Sequence, residues 1–276
     1  MTALARPVAE PRARFRDLLS AEWSKLWSLR STGWSLLLAA LAVVGFNVGQ
    51  AWDHYRYWTS YDTESRVRFV RDGMALGDAF TGNAGLVLIL GSAAMGAMTV
   101  VGEYGSGQIR TTFAAVPARR SVMAAKVLVV TAVMTGFGLT VAGASFWASQ
   151  AVLSLRGVGL PVGHPGVVRV VIASALLAPV CALVGMALGT LLRRGAATIL
   201  GSVVLLLVVP AVISEKRHWS AVLAHLQPRS AWQRLLQIGD WPAPFPWTAG
   251  GAWLVYGVWA LAAAAVTVCA VRYRDQ

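Results

Sequence analysis

The stretch Glu103-Tyr104-Gly105-Ser106-Gly107-Gln108-Ile109-Arg110-Thr111-Thr112 places an acid, a phenol, a guanidinium and three aliphatic hydroxyls within ten residues. It directly follows the charge-free run 79–102, and a second such run starts just after Lys126. The chemistry on offer is recognition rather than bond breaking. A polar segment of this length between two membrane spans is too short for a domain and too rich in specific groups for a bare turn. It predicts a contact surface presented on one side of a membrane.

Other chemically capable residues are dispersed. His54, His164, His218 and His225 fall outside the long apolar runs, and Cys181 and Cys269 lie within such runs at no metal-ligand spacing. No H-E-x-x-H and no phosphate-cradling G-x-x-x-x-G-K-[ST] occurs. No catalytic residue, metal ligand or resident cofactor is therefore assigned to this chain.

The elements that must position the polar segment follow from composition. Of 276 residues, 57% are hydrophobic and 13% charged, with a mean hydropathy of +0.60. A water-soluble domain carries about 25% charged residues, so the expected class is a membrane protein. The net charge of +12 is spread over the ends of apolar runs, which suits anchoring to anionic lipid and disfavours nucleic acid. The expected fold is an all-α membrane protein in a single transmembrane domain, 1–276, with spans near 31–52, 79–102, 127–149, 170–192, 195–213 and 248–271. About 20 apolar residues suffice for each crossing.

An even number of spans puts both termini on one side. With the N-terminus inside, 14 of the 24 basic residues face the cytoplasm and seven of the twelve acids face out. This predicts a multi-pass protein of the cytoplasmic (inner) membrane with both termini cytoplasmic. Trp23, Trp27 and Trp34 would then mark the inner interface. Trp52, Trp58, Trp147, Trp219, Trp232, Trp241 and Trp247 would mark the outer one.

Residues 12–30 read as an amphipathic helix along the inner surface. Phe15, Leu18, Leu19, Trp23, Leu26 and Trp27 lie on one side, with Arg16, Asp17, Glu22 and Lys25 mostly on the other. Anchoring and partner docking both fit it. Between spans five and six, two short helices separated by Pro228 are expected, and the polar, aromatic loop 53–78 is placed to cap the bundle. Gly185-x-x-x-Gly189, Gly91, Ser92 and Gly96 permit close helix contact, with packing inside this chain as the default. Pro179 is expected to kink the fourth span. Asn47 and Gln50, placed on one face of the first span, are candidates for lining a route.

The block Glu103-Tyr104 … Gly107-Gln108-Ile109-Arg110-Thr111-Thr112 … Ala114-Ala115-Val116-Pro117 … Arg119-Arg120 … Ala124-Ala125-Lys126 resembles the loop between spans two and three of type-2 ATP-binding-cassette (ABC) exporter permeases, particularly the actinobacterial kind. Glu22-Trp23-Ser24-Lys25-Leu26-Trp27-Ser28-Leu29-Arg30-Ser31-Thr32 is similar to their N-terminal interfacial helix. The resemblance implies an export permease moving an apolar or amphipathic substrate, with no ATP site of its own. ATP and Mg would be bound by a separate cytoplasmic ABC ATPase, and two permease chains, identical or different, would pair.

It also implies that the segment forms a short cytoplasmic coupling helix seated in the ATPase. Glu103, Tyr104, Gly107, Ile109, Arg110, Thr111, Thr112 and Phe113 would be its coupling residues, and Glu22, Trp23, Lys25, Trp27 and Arg30 the interfacial set. Ser106 or Gly107 can start that helix and Pro117 can end it. Ile109 and Phe113, at i and i+4, would offer an apolar ridge. Glu103 is expected to pair with Lys25 or another base. Two other classes fit the composition: a polytopic membrane enzyme acting on lipids or peptides, and a non-transporting scaffold or sensor.

Overall fold

A computed structural model describes residues 14–213, 217–238 and 245–274. Among these residues the chain is all-α, and six helices are long and apolar enough to cross a membrane. In chain order the elements are α1 (Phe15–Ser28), α2 (Arg30–Tyr57), α3 (Thr63–Arg71), α4 (Met74–Asp78), α5 (Gly82–Gly105), α6 (Gln108–Ala115) and α7 (Arg119–Ser154). They continue as α8 (Val167–Leu192), α9 (Gly195–Val203), α10 (Val209–Val212), α11 (His218–His225), α12 (Pro228–Leu236) and α13 (Ala249–Arg274). A π-helical turn, Val204–Val208, joins α9 to α10 into one span. Pro210 stands just beyond it and has no N–H to give back to the preceding turn.

The charge-free intervals thus become the spans, the first four extended at their ends and the last two, Gly195–Val212 and Ala249–Ala270, within the expected limits. The third runs to Ser154 because no charge or breaker interrupts it before Arg156. Helix α8 passes through Pro179 without interruption. The tryptophans follow the interface rule unevenly. Trp23, Trp34, Trp52, Trp147 and Trp219 are exposed at half or more of their surface. Trp232 departs from that expectation, being buried at 3%. Its indole N–H donates to Ser174 Oγ at 3.0 Å, and its ring occupies the space a side chain on Gly85 would need. Trp241 lies outside the described residues, as do residues 242–244 of the proline-rich 242–246 link into the last span.

Helix α8 forms the axis, packed between α5, α7 and α13. In lipid the tails are as apolar as leucine, so helices associate by close packing instead of by escape from water. Small residues supply that closeness. A Cβ on Gly96 would meet the Ala182 carbonyl oxygen at 1.9 Å, and one on Gly185 would meet that of Ala93 at the same distance. Gly138 of α7 meets Ala175 of α8 at 2.0 Å in the same sense. The Gly185/Gly96 set therefore packs within the chain.

At the end of the bundle away from α1, helices α3 and α4 fold over a small core of Ala51, Phe69, Ala75 and Leu153. His54 Nδ1 lies 2.6 Å from Asp78 Oδ2 there, which ties the last turn of α2 to α4. The two short helices expected around Pro228 are α11 and α12, with Pro228 as the first residue of α12.

Asn47 and Gln50 do not share an interior face. Asn47 is 1% exposed, and both ends of its amide are engaged: Nδ2 donates to Ser145 Oγ at 3.0 Å, and Oδ1 accepts from both Thr81 N–H and Thr81 O–H at 2.9 Å. Gln50 is exposed. Asn47 therefore locks α2 to α7 and to the N-cap of α5. Asn47→Leu is expected to destabilise the purified protein by about 1–3 kcal/mol, by leaving Thr81 and Ser145 without their partner. Gln50→Leu should stay within about 0.5 kcal/mol. Thermal unfolding in detergent checks both.

Candidate functional site

The site is assembled where three segments meet at one end of the bundle: the interfacial helix α1, the end of α5, and the start of α7. Between α5 and α7 the chain makes one short helix. Gly107 adopts the left-handed conformation (φ 73°) that a side chain disfavours, and α6 begins at Gln108. Val116 turns extended and Pro117 follows, so α6 stops at Ala115. Both ends match the reading of the sequence.

The faces of α6 do not match it. Ile109 is 6% exposed, and Phe113 packs against Leu18 of α1 and Val122 and Ala125 of α7. The expected outward ridge thus fastens α6 to its own bundle, because an apolar face beside α1 finds an apolar partner there first. Thr112 is half-buried. What α6 exposes is Gln108, Arg110, Thr111, Ala114 and Ala115, continued by Arg119 and Arg120. The guanidinium of Arg119 also lies 5.4 Å from the Phe113 ring centre. Tyr104 turns back toward the α8–α9 junction, where Arg193 stands 4.8 Å over its ring.

Behind α6 lies a buried four-charge cluster. Lys25 Nζ donates to Glu22 Oε1 at 2.7 Å and to Glu103 Oε1 at 3.2 Å. Lys126 Nζ donates to Glu103 Oε1 at 2.8 Å and to Glu22 Oε2. Two carboxylates and two ammonium groups so form a closed, neutral ring across α1, α5 and α7. Glu22, Glu103 and Lys126 are buried, at 5%, 8% and 4% exposed, and Lys25 is half-buried. Burial opposes the charge on Lys25, but its hydrogen bond to Glu22 and the nearby Glu103 and Glu22 charges outweigh that, and its pKa stands above the usual lysine value. That contribution to stability is in place at neutral pH and is lost only as pH climbs beyond the ordinary lysine range.

The expected Glu103–Lys25 pair is therefore present, but as half of a larger arrangement. Lys126 was legible only as a basic residue at a span end, and Glu22 as a solvated polar one. The overlooked signal is that an acid closes one span and a base opens the next at the same end of the bundle. Helix α1 is oriented accordingly: Leu18, Glu22 and Lys25 turn inward, while Phe15, Trp23 and Trp27 are exposed. Arg30 opens α2 and is exposed.

Beside the cluster a cleft of about 510 Å3 opens between α1, α2, α5 and α7. Its floor carries the four charges, and one wall carries Met95, Met98, Val129 and Val130.

The class is thus an all-α, multi-pass membrane protein with a short amphipathic connector clipped to a buried charge ring. No known family profile matches the chain, and no curated protein does.

Proposed function

We propose that this chain is the membrane-spanning permease subunit of an ABC exporter, driven by a separate cytoplasmic ATPase and paired with a second permease chain. In this reading the α1/α6 end is cytoplasmic, and the protein resides in the cytoplasmic membrane with both termini inside. The cargo is an apolar or amphipathic molecule. The observation that carries the proposal is the build of α6: a short helix, sharply started and stopped, with a polar outward face and an apolar inward one. A bare hairpin between two spans needs none of this.

The charge ring makes α6 a handle instead of a pendant. Force applied to α6 passes at one end into Glu103 and at the other toward Lys126, and both residues grip α1. A push on the helix is thereby shared among α1, α5 and α7, three of the elements that would have to move for access to switch sides. An enzyme would instead call for a nucleophile or paired acids at membrane depth beside a general base.

Arg110 provides the test. It is exposed and at the centre of the outward face, so Arg110→Ala should leave thermal stability within about 0.5 kcal/mol of the parent. The same change should abolish or sharply weaken co-purification of the partner ATPase and its stimulation by the permease. Unchanged capture of the ATPase and unchanged ATP-coupled efflux by the variant would overturn the coupling role.

A further inference from the structure

We propose that the cleft beside the charge ring is a binding site for a zwitterionic amphiphile, one bearing a phosphoethanolamine-type head on an apolar tail. The first argument is charge. The ring is neutral as a whole but offers both signs to the cleft. Glu103 uses only Oε1 for the two lysines, and no described residue donates to its Oε2. Lys25 spends two of its three N–H donors on Glu22 and Glu103, and its side chain keeps 27% of its surface. A purely cationic head would be attracted by Glu103 and repelled by Lys25, and a purely anionic head the reverse. A head carrying both signs a few ångströms apart satisfies both, with its ammonium on Glu103 and its phosphate on Lys25.

The second argument is shape and polarity. A volume of about 510 Å3 lies within the range of roughly 300–1,000 Å3 that small-molecule sites occupy. Hydroxyls of Ser31, Thr32 and Ser35 stand on the α2 side of the cleft, within reach of further head-group oxygens. Opposite, Met95, Met98, Val129 and Val130 give an apolar strip beside Thr99, and its two thioethers adapt to a flexible chain. Ser35 and Met98 are exposed, so the mouth opens sideways between the helices. A molecule already in the bilayer can enter there, and so can one dissolved beside it.

Binding requires no ATPase, so this site stands or falls apart from the coupling role. Only the further step, that its occupant is the exported cargo, rests on the transport reading. The experiment uses the full-length protein in nanodiscs of phosphatidylglycerol with radiolabelled lauroyl-lysophosphatidylethanolamine as the probe, counted against empty discs. Saturable binding is expected, at least about tenfold tighter than for dodecyl phosphate or dodecyltrimethylammonium. Glu103→Gln should weaken it by about tenfold, the worth of one charged hydrogen bond. Because that variant also disturbs the ring, Ser35→Trp provides the second arm: it fills the mouth from an exposed position and should abolish binding with the melting temperature unchanged.

Repeating the measurement in phosphatidylethanolamine discs separates the sources. Loss of probe binding identifies the bilayer lipid as occupant, and undiminished binding identifies a free amphiphile. Equal affinity for all three heads, or binding indifferent to both substitutions, would overturn the proposal.

Discussion

Lys126→Met is expected to lower stability by about 3–5 kcal/mol, the range for removing one partner of a buried ion pair. Lys126 is 4% exposed and bonds to both Glu22 and Glu103. Without it, two buried carboxylates share a single ammonium on the partly exposed Lys25. The double variant Lys126→Met/Glu103→Gln removes one charge of each sign and leaves Glu22 and Lys25, which already bond at 2.7 Å. It should recover a substantial part of the loss, since the remaining ring is again neutral.

Thermal and denaturant unfolding in detergent measure both effects. Trypsin sensitivity at Lys25 and Arg30 should rise in the single variant as α1 detaches. A single variant within about 0.5 kcal/mol of the parent, or a double variant no better than the single, would show that water already screens the cluster.

The second large effect is steric. Gly96→Ala adds one methyl group, and at an ideal position that atom falls 1.9 Å from the Ala182 carbonyl oxygen. The obstacle is backbone, which no rotamer change can move aside. Helices α5 and α8 must then separate along a contact that Gly185 shares with Ala93. Overpacking in cores costs about 1–3 kcal/mol, occasionally more, and a clash against an axial helix belongs at or beyond the top of that range. The expected result is a collapse in folded yield, read as the monodisperse fraction after extraction. Gly45→Ala and Gly143→Ala are the controls. Both positions have open space around them, and alanine there should be neutral or stabilising by up to about 1 kcal/mol. If Gly96→Ala behaves like these two, the close α5–α8 approach is wrong.

The spans were legible because charge in hydrocarbon is costly: six intervals without Asp, Glu, Lys or Arg become six crossings. The limits of α6 were legible too, since glycine at positive φ and proline after an extended residue act locally. Orientation was not. An amphipathic pattern divides α1 into an apolar and a polar side, and in water the apolar side packs. Beside a bilayer the lipid competes for that side, so Trp23 and Trp27 stay exposed while Glu22 turns to Lys126. The same competition hides the roles of Phe113 and Trp232. Each depends on partners distant in sequence, the Leu18–Val122–Ala125 cluster in one case and the space over Gly85 in the other.

The charge ring also sets an order of assembly. Glu22 and Lys25 leave the ribosome with the first span, while Lys126 follows about a hundred residues later. At roughly 5–20 residues per second, Glu22 of the amino-terminal helix has only Lys25 beside it for about 5–20 s after it reaches the membrane surface. The helix must dwell there as a peripheral segment held by its tryptophans, and it docks only when the third hydrophobic segment arrives. Emergence of Lys126 is therefore the earliest moment at which the charge ring can close.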